Sequence, residues 1–211
     1  MGSATLYRLS GVALLLGSLI AAVGALLKIS SGQDIANSFW VPAFLLVLVG
    51  STFLVLGLPA MFVQNISKAG IVGIAGFVLF SCALLILGIS SPAINALVLP
   101  AFAHAPSQEP AAVLGFFIAG DIIQCVGSVV LGIALLRART MPTWVGVCFL
   151  LSGVVLLVGR GIKLPVLYAG ISPLLLYIVL FWSGYLLWSR STSGLAQSQE
   201  ASANVPKKAH V

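Results

Sequence analysis

Acidic residues are nearly missing from this chain. Asp34, Glu109, Asp121 and Glu200 are the only carboxylate side chains among 211 residues, and charged side chains of both signs make up 7%. Soluble domains carry roughly 25%. A water-facing globule is therefore excluded, because too few polar side chains exist to cover one. Paired carboxylates for general acid–base work are also lacking. Histidine is scarcer still, with only His104 and His210, both outside the apolar segments. No intramembrane His pair is available for haem, and no cluster suits a metal. Cys82, Cys125 and Cys148 show no C-x-x-C spacing and fall inside apolar segments, where they read as small core residues. The patterns G-x-S-x-G, H-E-x-x-H and the P-loop do not occur. No His or second acid stands beside an intramembrane Ser or Cys to activate it. The expectation is a non-enzymatic protein with no catalytic residues, no metal and no cofactor.

What is present is apolar. Hydrophobic residues make up 60% of the chain, and the mean hydropathy is +1.18. That surplus must face lipid, so the class is an all-α polytopic membrane protein. The net charge of +6 would suggest nucleic acid in a soluble protein. Here the ten Lys and Arg are scattered between apolar segments, with no basic stripe and no interleaved aromatics. The charge is better explained as an orientation signal, and no nucleic-acid partner is expected.

Six segments are long and apolar enough to span about 30 Å of hydrocarbon. They are Leu9–Leu27, Trp40–Val63, Gly70–Gly88, Ala112–Leu136, Thr143–Gly159 and Pro165–Trp188. The first reads as a retained helix, since its apolar run is too long for a signal-peptide core and no A-x-A site follows. Leu6 stands where N-myristoylation needs Ser or Thr. With both termini inside, the inner side holds Arg8, Lys68, Arg137, Arg139, Arg190, Lys207 and Lys208, and the outer side holds Lys28, Arg160 and Lys163. Seven against three favours cytoplasmic termini. Tyr7, Trp144 and Trp188 then mark the inner interface, and Trp40 and Tyr168 the outer one. The N-I-S acceptor at Asn65 falls inside and is discounted.

Most connections are short, which makes consecutive helices antiparallel neighbours. Ile89–Pro110 is the exception. Its stretch Pro92–Phe102 is apolar but too short to span, and it is expected either to lie in the outer interface as a cap over the helix ends or to dip into the bundle mouth as a gate, broken at Pro100. After Trp188 the composition turns to Ser, Ala and Gln. Residues 1–188 are thus the six-helix bundle and 189–211 a disordered cytoplasmic tail. A faint parallel repeat relates Gly11–Lys28 to Gly146–Lys163, with Gly11/Gly146, Gly24/Gly159 and Lys28/Lys163 among the matches.

The stretches LYRLSGVALLLGSLIAAVGALL, LVLGLPAMFVQNISKAGIVGIAGFVLF and ALVLPAFA resemble the pattern of small uncharacterised bacterial six-helix integral membrane proteins. The resemblance covers the first three helices and the segment after them. It implies the fold class and no activity.

Helices in lipid associate through close backbone contact. Ala13, Gly17, Ala21 and Ala25 recur every fourth residue on the first helix, and Gly70, Gly73 and Gly76 open the third. Both rows are expected to pack within the chain. The fourth helix carries the chemistry. Phe117, Asp121, Gln124, Cys125, Ser128 and Gly132 fall within about a 100° arc, opposite Ile122, Ile123, Val126, Val129 and Val130. Asp121 lies about 13 Å below the outer boundary at 1.5 Å per residue. An Asp at that depth costs on the order of 2.5–3.5 kcal/mol, so it must face the interior or a wet cavity.

Two readings of Asp121 follow. In one it binds a cation or proton, with Gln124 and Ser128 beside it in a polar pathway. In the other it locks helices together by pairing with a cation. Arg160 is the first candidate partner, and Lys163 and Lys28 are the runners-up. The functional expectation is a small transporter-like or permeation-related bundle, acting on an unidentified small molecule or ion. The alternative is a structural or regulatory subunit that binds another membrane protein, or a second copy, through its helix faces.

Overall fold

The computed structural model describes residues 3–31, 36–102, 111–139, 141–164 and 166–203, with the side chains at 3–4, 64–69, 101–102, 111–112 and 190–203 left out. Six helices are each long and apolar enough to cross a membrane: α1 (Thr5–Ser30), α2 (Trp40–Val63), α3 (Gly70–Val98), α4 (Val113–Ala138), α5 (Thr143–Gly161) and α6 (Val166–Ser189). No strand occurs among the described residues. The protein is an all-α membrane bundle, as the run of apolar segments predicts.

The helices form a closed ring in chain order, every neighbour antiparallel. Glycines set the spacing. A Cβ added at Gly50 on α2 would stand 2.5 Å from the Ala21 nitrogen and 2.6 Å from the Gly17 oxygen on α1. The small-residue row of α1 is therefore an intramolecular seam. Gly76 and Gly127 bring α3 against α4, Gly132 and Gly146 bring α4 against α5, and Gly11 and Gly184 close the ring between α1 and α6. Gly70 opens α3 with φ 61° and ψ −165°, a backbone conformation open essentially to glycine alone. The chain reverses there, and Phe62 stacks on Phe77 at 4.2 Å. Ser18 and Ser183 return their hydroxyls to the carbonyls of Leu14 and Val179 on their own helices. Ser172 instead donates to the Ser152 carbonyl at 2.9 Å and ties α6 to α5.

The bundle is solid at one end and hollow at the other. Toward the end that carries both termini, Leu14, Leu54, Phe80, Leu135, Phe149 and Leu180 are fully or almost fully buried in one apolar cluster. The distal half opens into a cavity. Opposite that interior, the α4 side chains Ile122 and Val126 are exposed, as a lipid-facing stripe requires.

Two expectations are corrected. The third helix does not stop at Gly88. It continues through a wide π-helical stretch, Leu84–Ser90, then Ser91–Ala93 and a second π stretch, Ile94–Val98, before a 3-10 turn at Leu99–Phe102. The apolar segment from Pro92 is thus the distal third of α3 rather than a separate cap, and residues 103–110 lie outside the described residues. The reason is local. A π turn bonds residue i+5 to i, so a proline that would break an α-helix is accommodated where the helix is already widened. The second correction concerns the tail. Helix continues from Ser172 to Ala203, so residues 189–203, expected to be disordered, are helical, while 204–211 lie outside the described residues. Ala, Gln, Glu and Leu are good helix formers, and extending an existing helix needs no new nucleus.

A candidate solute site in the distal cavity

The hollow half encloses about 370 Å³ and is walled by residues of all six helices. Asp121 projects into it from α4 because the small and polar arc of that helix turns toward α5. Arg160 meets it from the last turn of α5. Arg160 Nε donates to Asp121 Oδ2 at 2.5 Å, and Nη2 lies 2.5 Å from the same oxygen in an ion pair. No described residue donates to Asp121 Oδ1. The carboxylate side chain is 12% exposed and the guanidinium side chain 34%. Arg160 also stacks over the Tyr168 ring, 4.2 Å from its centroid, so its plane is held by α4 on one side and α6 on the other. A planar fork with fixed donors suits that double role better than a lysine.

Lys28, at the end of α1, lines the same cavity. Its Nζ sits 4.9 Å from the centroid of Phe44, and it lies within electrostatic reach of Asp121 and Arg160. It makes no ion pair among the described residues. The third candidate cation, Lys163, is exposed in the turn after α5 with φ 54° and does not line the cavity. The repeat partners Lys28 and Lys163 therefore occupy different environments.

Gln124 lines the cavity, as its place one turn after Asp121 predicts. Ser128 does not. It is fully buried against Gly153 of α5, and its hydroxyl has no hydrogen-bond partner among the described residues. One more turn toward the solid half takes it out of the open space, so it belongs to the helix seam. Among the described residues, no group of three His, Cys, Asp or Glu side chains converges to hold a metal.

Several wall residues escaped the sequence reading. Trp40 and Tyr168, expected as interface anchors, line the cavity, as do Ser91, Asn95 and Tyr177. Trp40 is 6% exposed, and its indole Nε1 donates to the Asn95 carbonyl oxygen at 2.9 Å. The Asn95 amide in turn donates to the Ser91 carbonyl oxygen at 2.8 Å. Proline spacing explains why the Asn95 carbonyl is available. In the second π stretch the Leu99 N–H bonds to Ile94 O, and the next residue, Pro100, has no N–H for Asn95. By the same count Pro92 cannot supply Leu87, and Pro173 cannot supply Tyr168. Leu87, Asn95 and Tyr168 all face the cavity. Prolines five residues beyond an otherwise apolar helical stretch were the available signal, legible only once the helix was known to be π rather than α.

Compared with protein-family models, curated proteins and solved structures, the chain matches none.

Proposed function

We propose that the protein is a small transporter-like or permeation-related bundle whose solute site is the distal cavity. The observation that carries this reading is the cavity itself, about 370 Å³ with an ion pair in its wall. Ligand sites are typically about 300–1,000 Å³, largely apolar, with a few placed polar groups. A subunit that served only to hold a partner would gain nothing from a hollow half, and its acid would be sealed between helices. With both termini in the cytoplasm, as the Lys and Arg distribution favours, the cavity faces outward and the packed half is the barrier. The Arg160–Asp121 pair links α5 to α4 in the wall of the cavity, and Arg160 on Tyr168 extends that link to α6. Movement of a solute from the cavity into the packed half has to part helices, and this pair is one of the links that has to yield.

The reading is tested by water access. In a background with Cys82, Cys125 and Cys148 replaced, Ser91→Cys is expected to react readily with a water-soluble methanethiosulfonate reagent, and lipid-facing Val126→Cys to stay unreactive. The reaction needs a thiolate, which forms only where water reaches. An unreactive Ser91→Cys would refute a solute-accessible cavity.

A further inference from the structure

Among the described residues that line the cavity, the charges are unbalanced. Lys28 and Arg160 bring two positive groups, and Asp121 is the one acidic side chain in that lining. Arg160 is already committed to Asp121 and to the face of Tyr168. Lys28 is not. Its ammonium has the face of Phe44 and no described carboxylate. A cation in a partly enclosed space is unfavourable unless a counter-charge or hydrogen-bond acceptors satisfy it. A cationic solute would add a third positive group to a site whose single acid is already taken. An anionic solute would neutralise the surplus. The remaining walls suit a flat apolar body, since Trp40, Phe44, Phe117, Tyr168 and Tyr177 all line the space.

We infer that the cavity takes a small organic anion, with its charged head on Lys28 and its apolar or aromatic body against the ring-lined wall. This rests on the reading of the cavity as a solute site. It also replaces a cation or proton at Asp121 with an anion at Lys28. Asp121 then acts as a positioning residue, which keeps Arg160 in the wall and stops the guanidinium from competing with Lys28 for the head group.

Three compounds that share one ring system and differ in head charge provide the test: indole-3-acetate, indole-3-acetamide and tryptamine. The Ser91→Cys chain is placed in nanodiscs of zwitterionic lipid, and the rate of thiol modification is followed with each compound. Indole-3-acetate is expected to protect at a concentration about tenfold lower than the amide, the size of one charge-assisted contact, and tryptamine to protect least. Lys28→Gln should erase the preference for the acid over the amide, and Lys28→Arg should keep it. The head-group series on the chain with Lys28 intact needs no further variant, so it stands even if Lys28→Gln fails to fold. Equal protection by all three compounds, or best protection by tryptamine, would overturn the anion while leaving the open cavity intact. No modification of Ser91→Cys at all would instead remove the cavity reading. Nanodiscs containing phosphatidylglycerol form a further arm. If that lipid alone slows the modification, the occupant is an anionic lipid head group, and the free-solute form of the inference falls.

Discussion

At the residue scale, Asp121 and Arg160 stabilise the bundle as a pair more than as individuals. Asp121 is mostly buried, so removing its partner leaves a carboxylate without its hydrogen-bonded counter-charge. A fully buried pair broken from one side costs about 3–5 kcal/mol. Arg160 is partly exposed, which lets water replace some of what is lost. Arg160→Leu is therefore expected to destabilise by about 2 kcal/mol more than Asp121→Leu/Arg160→Leu. Thermal unfolding in detergent measures the cycle. Additive shifts would show that the two charges are solvated independently, contrary to the hydrogen-bonded geometry. Asp121 was legible as a site because an acid in an apolar helix has few physical excuses. Arg160 was legible because it ends the neighbouring antiparallel helix at matching depth. Lys28 was legible only as a candidate, since its place at the end of α1 fixes its depth in the membrane but not the face of the bundle it occupies.

At the scale of helices, close approach decides stability. In lipid no hydrophobic force drives one apolar helix onto another, so contact between backbones must do it. Gly50 is the tightest case, with α1 backbone atoms where its Cβ would be. Gly50→Ala should push α1 and α2 apart and cost about 1–3 kcal/mol, as overpacking does. Gly115 on α4 has nothing within 4 Å of an added Cβ, so Gly115→Ala should be neutral or stabilising by up to about 1 kcal/mol. Melting temperatures of the two variants give the comparison, and a loss at Gly115 equal to that at Gly50 would remove the packing explanation. The spacing of small residues made the α1 seam readable. The extension of α3 was not readable, because Pro92 and Pro100 read from sequence as helix ends, whereas the π turns that precede them let the helix run on.

At the scale of the whole molecule, an even number of crossings puts both termini on one side. The uneven split of Lys and Arg predicts that this side is the cytoplasm. In a chain whose native cysteines have been replaced, Ser107→Cys is expected to react with impermeant maleimide in intact cells, and Ser193→Cys to react only after lysis. The reverse pattern would turn the cavity to face the cytoplasm.

Composition and periodicity by themselves determined the membrane class, the six spans, the antiparallel order of neighbours and the isolation of Asp121. These follow from hydrocarbon thickness and from the cost of polar groups in lipid, both of which act on each segment separately. The cavity was decided only by tertiary structure. Whether Lys28, Trp40, Asn95 and Tyr168 face lipid, a neighbour or a shared space depends on how six helices rotate about their axes and how far they splay at one end. That rotation is set by close glycine contacts between one helix and another, and the π-helical stretches of α3 and α6 border the cavity. Which residues then share one space depends on all six helices together and leaves no period in a single segment.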